Sequence, residues 1–358
     1  MSNISSINNK LAFISTKFYE LITKRIPDRN IVISPPSILL IVKMLLRAST
    51  DRSRNQLLDL LYMLPLDDDE DDDSNTDRIL KELLSRTEYT SMFFIDHSKR
   101  IHDSYNKYVS KSNITSLVSG DVDMLYNKMR ELNYSAEEIL SSIRRTPESI
   151  ILFSIKYSDL WESPFSDNDS HKFFVTKYLT KVVPYIITSG MFGHMYCHEI
   201  KSNIINIPYL HNTYSMLLFF ADTYKNFKYL EKHITPRILL SSKLGLNNMK
   251  YSEISVSIPK FSIQTQHSIK SVFVELGITD IFDENSSMKS VSPDKFSVTN
   301  LYVKSQVDFI NNKIVLGDQK KWEEISNNNY HINRPFIFVI KYNKTGSVVF
   351  MGKVKDPE

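Results

Sequence analysis

The sequence predicts an α+β fold in a single domain that covers residues 1–358. Helix-like and strand-like segments alternate along the chain, and the strands are numerous enough for more than one sheet. No repeat and no linker rich in proline, glycine or serine divides the chain. Hydrophobic residues make up 42% and charged residues 24%, which is typical of globular proteins.

The predicted helices rest on apolar residues that recur at helical spacing. Residues 7–22 form one amphipathic face, and residues 37–46 are apolar nearly all round, as in a buried helix. Ser34 can cap that second helix, and Pro35 and Pro36 fit its first turn, where no N–H is needed. Further helices are predicted at 55–64, 78–84, 103–111, 123–143, 229–234 and 268–277.

The predicted strands are short runs rich in β-branched and aromatic residues. They lie at 30–33, 92–95, 149–157, 172–175, 204–208, 216–221, 253–258, 304–309, 333–340 and 347–354. The last two form a hairpin, in which Gly346 can take the positive φ of a tight turn. A long polar connection, residues 310–332, precedes this hairpin. Such connections are rare in compact domains unless they are functional, so function is expected there.

Two polar clusters have simple structural interpretations. Residues 67–73 (DDDEDDD) repel one another and predict a solvated surface loop, with cation binding or partner contact as the alternatives. A calcium loop would interleave its ligands with a turn glycine. Residues 194–199 (HMYCHE) crowd possible metal ligands together without a second cluster to complete a tetrahedron, so ordinary strand residues are expected.

Composition argues against several classes of protein. The eight glycines form no phosphate-binding loop, and no serine lies in a G-x-S-x-G turn, so no cofactor, no metal and no enzymatic activity are expected. The net charge of +3 gives little reason to expect a nucleic-acid partner, and no apolar run has the length of a membrane span. No apolar run precedes the first charge, so a cytoplasmic protein is expected, with unconventional export left open.

Six segments, taken in order, resemble the serpins. They are NIVISPPSILLIVKMLL (30–46), LWESPF (160–165), VVPYIITSGMF (182–192), IPKFSI (258–263), ELGITDIF (275–282) and NRPFIFVIKYNKTGSVVFMGKV (333–354). The resemblance covers essentially the whole chain, and the single cysteine and missing signal peptide are similar to poxvirus serpins. It implies three β-sheets surrounded by about eight to nine helices, a monomer, and a reactive-centre loop at 310–332.

The resemblance also implies a mechanism. In inhibitory serpins a protease cleaves the loop and is held as an acyl-enzyme while the loop inserts as a new strand into the central sheet. Rapid insertion favours small residues at the start of the loop. The corresponding residues in this chain are Asn311, Asn312, Lys313, Ile314, Val315 and Leu316. Burying the Lys313 charge or the bulky Ile314 and Leu316 would be costly, so slow or absent insertion is predicted.

A second set of residues lies where the resemblance implies that the sheet opens. Ser34 and Ser37 match serines of the family on the helix side. Phe153 and Val303 stand where the family has an asparagine and a histidine. Apolar residues at both positions predict strands that are held together by packing rather than by exchangeable hydrogen bonds.

The sequence does not identify the residue that precedes the scissile bond. Counting from the two ends of the loop places the scissile bond near Asn327 or near Glu324, while Lys320 and Lys321 would attract trypsin-like proteases. Two functions are compatible with the sequence. The first is a non-inhibitory or weakly inhibitory protein that binds a host protein as a decoy. The second is a suicide inhibitor of a host serine protease or caspase-like cysteine protease.

Overall fold

The computed structural model describes residues 2–62, 73–112, 115–143, 146–244, 248–284, 286–309 and 329–357. Within these ranges the chain forms ten α-helices and fourteen strands. The helices are α1 Ser2–Arg25, α2 Pro35–Ala48, α3 Asp51–Tyr62, α4 Asp73–Leu83, α5 Asp103–Ser112, α6 Val122–Glu131, α7 Ala136–Ser141, α8 Tyr224–His233, α9 Pro236–Leu239 and α10 Lys270–Glu275.

The strands belong to two hydrogen-bonded sheets. They are β1 Ile31–Ile33, β2 Thr87–Asp96, β3 Ser116–Gly120, β4 Ser149–Tyr157, β5 Ser166–Phe174, β6 Thr180–Cys197, β7 Ser202–Pro208, β8 Tyr214–Phe220, β9 Lys250–Pro259, β10 Ser262–Ser268, β11 Asn300–Asp308, β12 Asn329–His331, β13 Phe336–Tyr342 and β14 Ser347–Val354.

The first sheet has nine strands in the order β1-β14-β13-β8-β7-β6-β9-β12, with β5 also paired to β6. The second has five strands in the order β10-β11-β4-β2-β3. The predicted α+β fold is confirmed, but hydrogen bonds join the strands into two sheets rather than three. The reason is the length of β6, whose 18 residues pair with β5 at one end and with β7 at the other.

The two faces of the five-stranded sheet pack against different groups. One face joins the main core, which contains α1, α2 and the inner side of the nine-stranded sheet. The other face is covered by α6 and α7, which contribute Leu125, Met129 and Ile139 to a smaller apolar cluster. Strand side chains alternate between faces, so β4 supplies Ile151 and Phe153 to the main core and Ile150 and Leu152 to the smaller cluster.

The C-terminal hairpin has the predicted form. β13 and β14 pair antiparallel, and Gly346 has φ +74, as the tight turn requires. Gly352 is needed for another reason, because a Cβ atom there would collide with the carbonyl oxygen of Ile31 on β1. Every residue of β13 and β14 is buried, so the hairpin lies within the core.

One predicted helix is wrong. The segment 123–143 forms two helices, α6 and α7, because Asn133 has φ +56 and ends the helical path. The acidic run 67–73 lies outside the described residues except for Asp73, where α4 begins. None of the helices formed by the described residues is long and apolar enough to cross a membrane.

Candidate functional site at the seam between β4 and β11

β4 and β11 are parallel neighbours in the middle of the five-stranded sheet. Eight consecutive residue pairs join them, from Ile150 opposite Asn300 to Tyr157 opposite Val307. We call this pairing the seam. β11 leads directly into residues 310–328, which lie outside the described residues, so the seam ends where the loop begins. A strand inserted between β4 and β11 would have to part these pairs.

The centre of the seam is apolar. Phe153 on β4 and Val303 on β11 are direct neighbours, and their side chains are 1% and 3% exposed. The Phe153 ring also stacks on Tyr89 of β2, with ring centroids 5.9 Å apart. Since directly paired residues share a face, both side chains point into the main core. Separating them would expose a large apolar area to the inserting segment or to water.

A histidine that the sequence analysis missed lies beside this pair. His267 on β10 is paired with Val303 and therefore shares its face. Burial lowers the pKa of His267 to about 4, and its Nε2 has no hydrogen-bond partner among the described residues. The alternation of Ile263, Thr265 and His267 along β10 is a signal that could have identified it. The family resemblance implies a histidine at position 303 on β11, whereas the imidazole of His267 lies on the adjacent strand, β10.

The two predicted serines lie at the N-terminus of α2, which packs on β4. Both are buried, and the Ser37 hydroxyl donates to the backbone carbonyl of Ser34 at 2.7 Å. The Ser34 hydroxyl finds no partner among the described residues, and neither does that of Ser305 on β11. Polar groups therefore remain around the seam, but they lie beside the Phe153–Val303 pair rather than in it.

The opposite face of the seam is bridged by the segment between α6 and α7. Lys304 Nζ on β11 donates to the backbone carbonyl of Asn133 at 2.7 Å, and the Tyr134 hydroxyl donates to the carbonyl of Tyr302 at 3.5 Å. The apolar cluster beneath these helices includes Leu152 from β4 and Tyr302 from β11. The helices thus contact both strands of the seam, and they would have to move if the strands parted.

Aromatic rings surround the end of the seam that leads to the loop. Phe309 is the last described residue before the loop, and its carbonyl accepts a hydrogen bond from Trp161 Nε1 at 3.4 Å. Its ring lies 4.1 Å from Phe261 and 5.1 Å from Phe338, measured between centroids. Trp161 in turn stacks on Tyr209 at 4.1 Å. These contacts fix the start of the loop.

The carboxylate of Asp308 lies at the same end of the seam. Asp308 on β11 forms an ion pair with Lys156 of β4 at 3.2 Å and accepts a hydrogen bond from Ser262 of β10 at 2.6 Å. Burial acts to raise the pKa of Asp308, but hydrogen bonds from Ser262 and Gln306 and the contact with Lys156 hold it below its ordinary value. One carboxylate therefore ties three neighbouring strands together.

The remaining predicted site residues lie outside the described residues. They are the hinge residues Asn311, Asn312, Lys313, Ile314, Val315 and Leu316 and the cleavage candidates Lys320, Lys321, Glu324 and Asn327. Of the cluster 194–199, the first four residues belong to β6 and alternate between its faces, so their side chains diverge. His194 contacts Ser252 Oγ and the hydroxyl of Tyr330.

Known proteins resemble the chain over its whole length. The family model described as serpin (serine protease inhibitor) matches residues 8–357. A serpin-like protein of fowlpox virus (strain NVSL) is 91% identical over 358 residues, which is 100% of both chains. Serine proteinase inhibitor 1 of variola virus is 23% identical over 97% of each chain. The crystal structure of uncleaved ovalbumin covers 98% of this chain and 100% of its own, with a TM-score of 0.83 at 20% identity.

Proposed function

The chain belongs to the serpin family, and we propose that it is a non-inhibitory or weakly inhibitory member that binds a host protein as a decoy. The observation that carries this proposal is the apolar seam, in which Phe153 lies opposite Val303. A monomer in the host cytoplasm belongs to the same proposal. Its family consists of protease inhibitors, so a host protease is the first partner to test.

Three features support a sheet that stays closed. Phe153 and Val303 pack across the seam, the α6–α7 segment bridges it from the other face, and Asp308 ties its end to both neighbouring strands. The loop sequence adds a further cost, because insertion would bury alternate residues that include Lys313 or Ile314 and Leu316. A protease could cleave such a loop and leave before the loop entered the sheet.

A second candidate is a suicide inhibitor of a host serine protease or caspase-like cysteine protease. It is favoured by the family itself and by the viral relative that is named as a serine proteinase inhibitor. Glu324 would suit a protease that prefers acidic residues, and Lys320 or Lys321 a trypsin-like one. In this case the seam must open within the lifetime of the acyl-enzyme.

Cleavage of the loop distinguishes the two functions. Trypsin is expected to cut after Lys320 or Lys321, and mass spectrometry would identify the site. The melting temperature of the nicked protein should then lie within a few degrees of that of the intact protein, because the seam stays closed. A rise of tens of degrees would contradict the decoy function, since an inserted loop adds a full strand to the sheet. An SDS-stable complex with a candidate protease would establish inhibition directly.

Two variants provide matched controls. Replacing residues 313–316 with alanine removes the charged and bulky side chains that are expected to slow insertion. The double variant Phe153→Asn/Val303→His places polar groups in the seam. If the seam and hinge limit insertion, nicking the combined variant should raise its melting temperature more than nicking either one alone. If neither variant alters the change in melting temperature that nicking causes, the seam is not the limiting feature and the proposal fails.

A further inference from the structure

β12 is the short strand that follows the loop, and it is weakly attached to the sheet. Among the described residues its three residues pair with β9 alone, through Asn329–Ser255, Tyr330–Val256 and His331–Ser257, and β12 ends the strand order of the nine-stranded sheet. Ile332, the next residue, is 2% exposed and donates its backbone N–H to Ser257. The weakly held segment is therefore bounded on one side by the loop and on the other by a firm anchor.

One face of β12 is held by a histidine pair. The His331 ring stacks on Tyr185 of β6 with centroids 4.7 Å apart, and it lies 5.1 Å from the ring of His171 on β5, edge to face. The Tyr185 hydroxyl donates to the carbonyl of Ile332, so this tyrosine also contacts the anchor. The two histidines thus join β12 to a strand with which it shares no backbone pairing.

The other face of β12 is held by a third histidine. The Tyr330 hydroxyl lies 3.4 Å from Nδ1 of His194 on β6, and Nε2 of His194 lies 2.8 Å from Ser252 Oγ on β9. The Tyr330 ring also packs on Phe220 of β8, with centroids 5.6 Å apart. Side-chain attachment of β12 therefore involves histidines on both of its faces.

The surrounding charges do not compensate for protonation. Burial and the neighbouring His171 lower the pKa of His331, and burial and Lys250 lower that of His194. Lys260 is already paired with Asp167 on β5, and Arg334 lies over the Phe174 ring. Among the described residues no carboxylate forms an ion pair with His331 or His194, so a positive charge on either ring would have no ionic partner while β12 is bound.

We propose that β12 is a pH-sensitive latch: protonation of His331 and His194 in mildly acidic surroundings releases residues 329–331 from the sheet. The bound strand disfavours the charged forms of these two imidazoles, and release of the strand removes that penalty. By linkage, release is therefore suppressed above the ordinary histidine pKa and becomes favourable as the pH falls below it. The anchor at Ile332 keeps the change local.

Release would free residues 329–331, which follow the loop along the chain, while Phe309, which precedes it, stayed held by Trp161 and Phe261. The exposed edge of β9 would then be free to accept another strand. This latch does not depend on whether the protein inhibits a protease.

Hydrogen exchange measured by mass spectrometry tests the latch. The full-length protein is labelled at pH ~7.5 and ~5.5, with labelling times corrected for the intrinsic effect of pH. Protection of amides in 329–331 is expected to fall about tenfold at the lower pH. Protection of β13, residues 336–342, should stay constant as an internal reference. In His331→Phe the stacking on Tyr185 is kept but the ring cannot be charged, so most of the fall should disappear.

A matched control is His233→Phe. His233 stacks on Tyr229 with centroids 3.8 Å apart on α8, and it has no contact with β12. This variant should retain the full response of the wild type. The proposal is overturned if protection of 329–331 is independent of pH, if it falls together with that of β13, or if His331→Phe responds like the wild type. If His331→Phe fails to fold, as judged by circular dichroism, His194→Gln replaces it with the same expectations.

Discussion

The two strands that flank the loop are held in very different ways. β11 pairs with β4 on one side and β10 on the other, over eight and seven residue pairs respectively, and Phe309 at its end is enclosed by aromatic rings. Among the described residues β12 has three pairs, all with β9, and its side chains contact both aromatic rings and histidines. The strand before the loop is therefore fixed by packing on two sides, whereas the strand after it is held by few pairs and by contacts that include imidazoles.

This difference separates two motions that a serpin loop can make. Movement of the loop into the five-stranded sheet requires the seam to part, and that costs buried apolar contacts. Movement of β12 away from the nine-stranded sheet breaks only three residue pairs. The structure thus favours change at the distal end of the loop over change at the proximal end.

The largest expected effect tests this contrast directly. Phe309→Ala should lower the free energy of unfolding by about 3–5 kcal/mol, because the side chain is fully buried among aromatic rings. Tyr330→Ala removes an aromatic residue at the other end of the loop and should cost only about 1 kcal/mol, since the side chain is partly exposed and the strand short. Urea denaturation of both variants measures the difference. Equal losses would contradict the comparison.

A pH series examines His267, the histidine beside the seam. Its pKa is lowered to about 4 in the folded state, so the unfolded chain binds this proton more tightly. Stability should therefore decrease by about 2–3 kcal/mol as the pH falls from ~6.5 to ~4, and none of this loss should occur above that window. Urea denaturation at several pH values measures the slope.

The variant His267→Gln should flatten that slope, because it removes the titrating group and keeps a polar side chain. His198→Gln is the matched control, since His198 is exposed on the turn after β6. It should leave the slope unchanged. A wild-type slope in His267→Gln would show that other groups cause the acid sensitivity.

The smallest effect concerns the charge at the end of the seam. Lys156→Met should lower the free energy of unfolding by about 0.5–1 kcal/mol, because the Lys156–Asp308 pair is partly exposed and therefore screened. The loss should shrink in high salt. Lys128→Met, which breaks a surface pair within α6, is the control and should not alter hydrogen exchange at the end of β11. Equal exchange changes in both variants would mean that the pair does not hold the seam.

Much of the fold could be predicted from local patterns. The C-terminal hairpin has alternating β-branched residues and a turn glycine, and it forms as expected at β13 and β14. The prediction of a single helix at 123–143 failed because the helical spacing of apolar residues continues across Asn133, where the backbone adopts a left-handed conformation. The strands β3, β6, β10 and β12 were also missed, since each becomes evident only against the strands with which it pairs.

The candidate site was predicted only in part. Phe153 and Val303 were identified separately, and the structure pairs them directly. His267 was missed, because its importance depends on the strand that lies beside it. The hinge residues, including Lys313 and Leu316, stay a prediction because they lie outside the described residues.

The sequence by itself determined the family, most of the helices and strands, and the apolar residues at the seam. These features depend on residue type and spacing, which are local properties of the chain. Only the tertiary structure decided that His267 lies beside Val303, that Lys304 reaches Asn133, and that His171 meets His331 across more than a hundred residues. Such contacts depend on strand order and register, which are fixed when distant segments bury their apolar faces together.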